Sequence, residues 1–304
     1  MDKPVFVITV GLPASGKSTY ANKLAEEINA TIFSSDKLRE ELFGDVNEQA
    51  KNVKLFQELH KRIKDCLKSG KSAIMDSTSI SSKRRRSFLE ELNKIDCYKQ
   101  CIVMATPYEQ CLENNAMRDR KVPVEVIDRM YRSWNTPYWF EGWDAIEIIY
   151  WDNSEGKEYF PIWLGDYANY DQDNPHHTMT LAEHCLKAGK ILSKSERTNY
   201  ELSYAGYIHD CGKPFTKTFT NSKGEKTDVA HYYSHENVGA YDSLFFGIYP
   251  VNALDVSILV NLHMTPYYWE RDNNEKLHKK YKKLWGEELY NDVMKLHEAD
   301  KTAH

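Results

Sequence analysis

The sequence predicts two folds in succession: an α/β domain, a parallel sheet flanked by helices, over residues 1–152, and an all-α domain over residues 153–304 with a linker at about 153–175. Three observations carry this reading. Short apolar runs alternate with amphipathic stretches in the first half. Strand alternation is absent from the second half, where apolar residues keep helical spacing. Between the two, Asp152-Asn153-Ser154-Glu155-Gly156-Lys157 and Asn169-Tyr170-Asp171-Gln172-Asp173-Asn174-Pro175 have no periodicity, as expected where a chain crosses a domain boundary.

In the first half the expected strands are Val5 to Val10, Thr31 to Ser34, Ser72 to Met75, Lys99 to Ala105 and Ala145 to Tyr150. Ala21, Leu24, Ala25 and Ile28 share one helical face, as do Leu55, Leu59, Ile63 and Leu67. The helical stretches expected in the second half are Leu181 to Leu192, Tyr200 to Ile208, Asn237 to Phe246, Ala253 to His263 and Glu275 to His304.

At 304 residues the chain is long enough for both domains to bury cores. No apolar run approaches the ~20 residues of a membrane span, and Met1-Asp2-Lys3-Pro4 leads into a strand without the regions of a signal peptide. A cytoplasmic protein with no membrane partner is the expectation. The six cysteines lack a paired spacing, so they read as free thiols and core filler. A net charge of −5 argues against indiscriminate nucleic-acid binding while leaving room for a local basic groove.

Gly11-x-x-x-x-Gly16-Lys17-Ser18-Thr19 follows an apolar strand and opens a helix, which is the setting of a P-loop. Its backbone N–H groups, with Ser15, Lys17 and Thr19, suit nucleotide phosphates, and the Ser18 hydroxyl suits Mg²⁺. Asp36 and Arg39 follow the second strand at helical spacing. The pair suits a base for a hydroxyl acceptor beside an arginine that holds a neighbouring phosphate; Asp36 could instead cap the helix. Asp76 ends a strand, where an acidic group near metal or acceptor is expected. Lys83-Arg84-Arg85-Arg86 reads either as a solvated face or as a nucleic-acid contact. Arg118-Asp119-Arg120-Lys121-Val122-Pro123 suits a lid that lowers arginines onto a phosphoryl group.

The second half carries His184, His209-Asp210, His235, His263 and Asp300, a nitrogen and oxygen donor set that suits divalent transition metals. His209-Asp210 lies in apolar surroundings, where unpaired polar groups are costly. Lys213 reads either as a group stabilising phosphate charge or as a helix-end lysine, and His177 as a phosphate contact or a cap. Trp134, Tyr138, Trp139, Phe140 and Trp143 are expected to pack. Tyr267, Tyr268 and Trp269 are open between packing and base stacking.

Residues 4–135 resemble the 5′-hydroxyl polynucleotide kinase domain of bacteriophage and bacterial RNA-repair enzymes, through the P-loop, Asp36-x-x-Arg39, Asp76-Ser77-Thr78 and the lid with Val126-Ile127-x-x-Met130. The resemblance implies ATP or GTP with Mg²⁺, Asp36 as general base, Arg39 on the substrate's adjacent 3′ phosphate, and Arg118, or Arg120 in its place, on the γ phosphate. Residues 176–304 resemble the HD phosphohydrolase superfamily in its version with extra histidines, through Thr180 to His184, His209-Asp210-x-Gly212-Lys213, Ser234 to Ala240, Leu262-His263 and Ala299-Asp300-Lys301. This implies one metal on His184, His209, Asp210 and Asp300 and a second on His235 and His263 with Asp210 bridging, the metals being Mn²⁺, Ni²⁺, Co²⁺, Fe or Zn²⁺.

Together the resemblances imply an enzyme that phosphorylates 5′-OH ends and removes 2′,3′-cyclic, 2′ or 3′ phosphates. Its partners would be RNA ends in preference to DNA, an NTP, and an RNA ligase acting downstream. A small-molecule nucleoside or metabolite kinase fused to a nucleotidase, and a nucleotide-gated RNA-binding sensor with an inactive HD domain, stay open as alternatives.

Overall fold

The computed structural model describes residues 3–46, 48, 50–151, 167–175, 178–195, 199–245, 252–271 and 274–303. Much of the expected linker, together with His177, lies outside these residues. The chain divides into two compact units, Met1–Asp128 with Pro137–Ser154, and Arg129–Thr136 with Glu155–His304. Residues 129–136, which precede the expected boundary, therefore belong by packing to the second unit.

The first unit holds a parallel sheet of β1 (Val5–Val10), β2 (Thr31–Ser34), β3 (Ala73–Asp76), β4 (Tyr98–Ala105) and β5 (Ala145–Tyr150) in the order β2-β3-β1-β4-β5. Parallel strands need crossover connections, and the amphipathic segments supply them as α1 (Lys17–Glu27), α2 (Ser35–Phe43), α3 (Asn52–Lys68), α4 (Ser82–Leu92), α5 (Tyr108–Met117) and α6 (Val124–Tyr131). The central strand β1 is paired on both sides, with Val7 opposite Ile74 and Gln100. Val7, Ile74 and Ile102 pack with Ala21 of α1 and Met104 in one core cluster. Leu55, Leu59, Ile63 and Leu67 of α3 are all buried, as their spacing requires. The third strand begins and ends one residue later than expected, so Asp76 is itself its last residue.

The second unit is mostly helical: α7 (Leu181–Ser195), α8 (Tyr200–Ile208), the short α9 (Lys213–Thr216), α10 (His235–Ser243), α11 (Ala253–Leu262), α12 (Thr265–Arg271), α13 (Glu275–Trp285) and α14 (Glu287–Thr302). The expectation of an all-α domain is corrected by an antiparallel hairpin of β6 (Thr218–Thr220) and β7 (Lys226–His231). Its turn closes on Asn221, whose side chain accepts from the Lys223 and Glu225 N–H groups, with Gly224 in the left-handed region. The single helix expected from Glu275 onward is two, parted at Gly286. Residues 129–136 join this unit through the buried Trp134, whose ring meets Tyr241 at 4.8 Å, and through Thr136, 2.7 Å from the Ser257 hydroxyl.

The turn after α8 is held against α10 so closely that only glycine fits. A Cβ at Gly212 would stand 2.2 Å from the His235 carbonyl oxygen and 2.6 Å from the Gly239 nitrogen. Both are backbone atoms, which cannot rotate away. Gly212→Ala is expected to destabilise the second unit by about 2 kcal/mol or more, by forced backbone displacement. Chemical denaturation followed through tryptophan fluorescence checks this; wild-type stability would show that the turn can part from α10.

Candidate active sites

In the first unit β1 runs into the glycine-rich turn, and Gly16, at φ 87°, starts α1 in a conformation that other residues adopt only at a cost. The turn is tied from beneath. Gly11 N–H donates to the Thr78 carbonyl, Thr106 Oγ1 to the Ser15 carbonyl at 3.0 Å and Asn114 Nδ2 to the Ala14 carbonyl at 3.1 Å. Lys17 folds back over the loop, with Nζ 2.5 Å from the Leu12 carbonyl oxygen and 3.3 Å from Ser15 Oγ. Burial lowers the Lys17 pKa to about 8, against the pull of Asp76 and with the help of Arg118. Ser18 Oγ donates to Asp76 Oδ2 at 2.8 Å, so the hydroxyl expected to hold Mg²⁺ lies beside the carboxylate expected near metal or acceptor.

Asp36 does not cap α2. The cap position is Ser34, and Asp36 lies inside the first turn with its carboxylate held by two arginines. Arg39 Nη1 donates to Oδ1 and Arg120 Nη1 to Oδ2, both at 2.9 Å. Arg39 is buried and also donates from Nη2 to Asn52 Oδ1, whereas Asp36 is 51% exposed and so accessible to a substrate. The two lid arginines are thus distinguished: Arg120 pairs with Asp36 and reaches the Val46 carbonyl, and Arg118 acts on Lys17. The lid is closed at its base by Asn115, which exchanges hydrogen bonds with both backbone groups of Val122.

The basic run after Asp76 is not uniform. Lys83 and Arg84 are exposed, but Arg85 is 2% exposed and makes a two-pronged ion pair to Glu141 at 2.7 and 2.8 Å. Arg85 also donates to the Ser79 carbonyl, which pins the turn that follows Asp76. It is therefore a structural group and no nucleic-acid contact. Of the neighbouring aromatics, Trp134, Tyr138 and Trp143 pack, while Trp139 and Phe140 are exposed.

In the second unit the four histidines and two aspartates converge from five places: His184 on α7, His209 and Asp210 after α8, His235 at the start of α10, His263 after α11, and Asp300 on α14. All are buried. Asp210 divides its oxygens between two groups. Oδ2 lies 3.4 Å from Nε2 of both His184 and His209; Oδ1 lies 3.1 Å from His235 Nε2 and 3.8 Å from His263 Nε2. Asp300 Oδ1 completes the first group at 3.1 Å from His184 and 3.4 Å from His209.

The tautomers decide what this cluster needs. The Nδ1 atoms of His235 and His263 face the carbonyl oxygens of Tyr232 and Val260, each at 2.7 Å, and must donate there because a carbonyl only accepts. In the neutral rings both Nε2 atoms then carry lone pairs, yet they face each other at 3.2 Å. His209 is oriented the same way by the Gly206 carbonyl, with its Nε2 3.1 Å from that of His184. Such lone pairs repel unless positive charge lies among them, and neutral imidazoles with carboxylates are the donors a divalent transition metal takes. Both triads, His184 with His209 and Asp210 and Asp210 with His235 and His263, could hold an ion.

Fixed charge surrounds the cluster. Burial opposes ionisation of Asp210, but Lys213, His209 and the hydrogen bonds to His184 and His235 hold its carboxyl well below the usual range. Burial likewise opposes charge on His184, yet Asp210 and Asp300 raise its pKa to about 9. Burial, then His235 and His209, push His263 down to about 3. Lys213 is no solvated helix-end residue: its Nζ sits 2.7 Å from Asp210 Oδ2 and donates to Gln172 Oε1 at 2.8 Å.

Two groups were missed or left open by the sequence. Gln172, from the irregular segment, steers Lys213. Tyr267 does not stack on a base: its hydroxyl donates to Asp300 Oδ2 at 3.0 Å, which turns Oδ1 toward the histidines. Its aromatic neighbours divide, with Trp269 buried and Tyr268 exposed. A third acidic group, Glu270 with His297 and Glu298, is already compensated by Lys301, paired with both glutamates.

Residues 6–137 match the protein-family model described as AAA domain. Together with the parallel sheet and the loop geometry, this decides the class of the first unit. It resembles a P-loop kinase domain. The L-seryl-tRNA(Sec) kinase of Methanococcus maripaludis is 29% identical over 163 residues, which cover 52% of this chain and 63% of that protein. Among solved structures, a putative kinase from Chloroflexus aurantiacus is 19% identical with a TM-score of 0.42, covering 51% of this chain and 92% of the other. The Pnkp1/Rnl/Hen1 RNA repair complex contributes a chain 19% identical with a TM-score of 0.37, covering 44% of each. The family match ends at residue 137, before His184, the first residue of the histidine cluster. Among the described residues no helix is long and apolar enough to cross a membrane.

Removing the support of a metal ligand typically lowers affinity about 10- to 100-fold. Tyr267→Phe is expected to weaken divalent-metal retention by roughly tenfold with the fold intact, and Asp210→Ala to abolish it. Titration of Mn²⁺-loaded protein with a competing chelator, alongside metal analysis, measures both; wild-type retention in Asp210→Ala would remove the cluster as a metal site.

Proposed function

We propose that the protein heals broken nucleic-acid ends, phosphorylating a 5′-OH in the P-loop kinase domain and hydrolysing a 2′,3′-cyclic, 2′ or 3′ phosphate in the helical unit, which we read as an HD phosphohydrolase domain. The observation that carries the first half is the exposed Asp36 carboxylate, set between Arg39 and Arg120 beyond the carboxyl edge of the sheet that also holds Lys17. Open α/β sheets bind ligands at that edge.

In this reading Gly11, Ser15, Gly16, Lys17 and Thr19 cradle the phosphates of ATP or GTP, and Ser18 with Asp76 holds Mg²⁺. Asp36 accepts the proton of the acceptor hydroxyl as its oxygen attacks the γ phosphorus and the bond to the β-phosphate oxygen breaks. Each Asp36 oxygen accepts one arginine and keeps a lone pair for that hydroxyl, so the base can act with both arginines in place. Arg39, fixed by Asn52, takes the phosphate next to the acceptor, and Arg118 compensates charge on the group in transfer. A kinase named for a seryl-tRNA substrate among the relatives supports a hydroxyl carried on RNA. It also favours a second reading, in which the acceptor is a hydroxyl attached to a tRNA and not a ribose 5′-OH.

In the helical unit His184, His209, Asp210 and Asp300 would hold one divalent metal and His235, His263 and Asp210 another. Bound there, metal supplies polarisation of the phosphoryl oxygens and a water of lowered pKa. The protein's own part is to fix the imidazole tautomers through the Gly206, Tyr232 and Val260 carbonyls and to place the Lys213 ammonium beside Asp210, where it can turn to a phosphate oxygen. The opposed Nε2 atoms of His235 and His263 are the observation that favours a loaded, catalytic site over a sensor with a vestigial one.

One RNA with a 5′-OH and a 2′,3′-cyclic phosphate tests both halves. Asp36→Asn is expected to lower transfer of γ-labelled phosphate about 100- to 10,000-fold, the usual worth of a general base, while phosphate release at the other end continues with Mn²⁺. Asp210→Ala is expected to do the reverse. Transfer to a nucleoside but not to the RNA would move the reading to a small-molecule kinase, and transfer only to aminoacylated tRNA would select the second acceptor.

A further inference from the structure

In a chain of net charge −5, helix α13 carries five lysines against one glutamate in eleven residues. Its arrangement is more telling than its count. At about 100° per residue, Lys276, Lys279, Lys280 and Lys283 form one stripe at i, i+3, i+4 and i+7, and all four are exposed. His278, Tyr281 and Trp285 occupy the opposite face. There Trp269 of α12 stacks on Tyr281 at 4.8 Å and meets His278 at 4.8 Å and Trp285 at 5.5 Å, while His278 Nδ1 lies 2.9 Å from the Tyr290 hydroxyl of α14. The helix is therefore bolted down on its aromatic side and presents the lysines outward in fixed register. Among the described residues Lys276, Lys279 and Lys283 have no acidic partner; the acid at the end of α13, Glu287, is taken by Lys282 at 2.6 Å.

The anchoring helix is also the one that serves the metal-type cluster. Two residues apart on α12, Trp269 fastens α13 and Tyr267 holds Asp300. Four lysines over eight residues reach about 10 Å along the helix, enough for two or three successive phosphates of a single strand. A mononucleotide could not engage the stripe and the cluster as one ligand, because it has no further phosphates to offer.

We propose that the stripe Lys276, Lys279, Lys280 and Lys283 of α13 binds the phosphate backbone of a single-stranded RNA whose 3′ terminus is served by the histidine and aspartate cluster. The substrate class of that site is then a polynucleotide end and not a free nucleotide. This rests on the phosphohydrolase reading for its catalytic part, but the contact itself is measurable without turnover.

Acetylation of lysines by a limiting acylating reagent, with and without a 12-nucleotide RNA and read by mass spectrometry, reports the contact directly. The four stripe lysines are expected to be protected several-fold by RNA, while the exposed Lys190 and Lys223 keep their rates. Absence of that protection overturns the proposal, as does protection by polyglutamate in place of RNA, which would make the stripe a protein-docking surface. Replacing all four by glutamine is expected to raise KM for phosphate release from the 12-mer about tenfold or more, to leave kcat and activity on a cyclic mononucleotide unchanged, and to reduce the salt slope by about 2, at ~0.7 per phosphate for a single strand. The all-arginine variant is expected to retain wild-type KM. Protection without any phosphate release in the wild type would sink the hydrolase reading and leave the RNA contact standing; release with no change in the glutamine variant would do the opposite.

Discussion

Asp210 constrains the helical unit more than any other residue. Its two oxygens face different pairs of imidazoles, and it sits where a lone carboxylate would be prohibitively desolvated. Five elements near it carry a compensating group, α7 His184, α8's end His209, α9 Lys213, α10 His235 and the end of α11 His263, whereas α14 adds a second carboxylate, Asp300. Lys213 must leave the turn immediately after Asp210, and that turn must lie flat on α10. The absence of a side chain at Gly212 meets that need, because the His235 backbone approaches within 2.2 Å of where a Cβ would stand. Packing and charge compensation are thus one requirement, with the same turn serving both.

The first unit solves a related problem with the opposite sign. Lys17 is a buried ammonium whose hydrogen-bond partners among the described residues are a backbone carbonyl and a hydroxyl, and burial depresses its pKa. A polyanion laid over the loop would supply what the protein withholds. Around it the acidic groups are kept in place by cations of their own: Asp36 by Arg39 and Arg120, Glu141 by Arg85. The Arg85 and Glu141 pair looks remote from the chemistry, yet it fixes the turn from Asp76 to Ser79, and the Thr78 carbonyl on that turn receives Gly11 N–H.

What could be read from the sequence was what is encoded locally. The P-loop is a contiguous pattern, the strands of the sheet are apolar runs, and α3 shows its buried face at every third or fourth residue. The histidine and aspartate set was legible as a list of residue types, and their convergence followed from resemblance and not from spacing. The rest depends on partners distant in the chain. Arg85 looks like its basic neighbours until Glu141, fifty-six positions away, is brought to it. Residues 129–136 continue a helix of the first unit in sequence but are claimed by Tyr241, Asn237 and Ser257 of the second. Tyr267 and Gln172 gave no periodic signal, because each makes a single hydrogen bond to one functional side chain. The β6/β7 hairpin was hidden by short, polar strands whose register rests on one asparagine turn.

Basic residues illustrate how burial sorts function from structure in this chain. Arg85, Arg39, Lys17 and Lys213 are all buried, but they differ in what surrounds them. Arg85 has both carboxylate oxygens of Glu141 and a carbonyl, so its donors are largely met within the fold and a ligand could add little. Among the described residues the buried Nε of Arg39 has no partner, and its Nη groups are held by one carboxylate and one amide, a state closer to readiness than to completion. Lys213 shares its proton donors between Asp210 and a neutral amide oxygen, which leaves an ammonium with capacity for a third acceptor. The lysines of α13 stand at the far end of this series, exposed, aligned and anchored from behind. Net charge says nothing of these distinctions, whereas the ratio of donors offered to acceptors supplied separates the cation that holds the fold from the cation left to meet a phosphate.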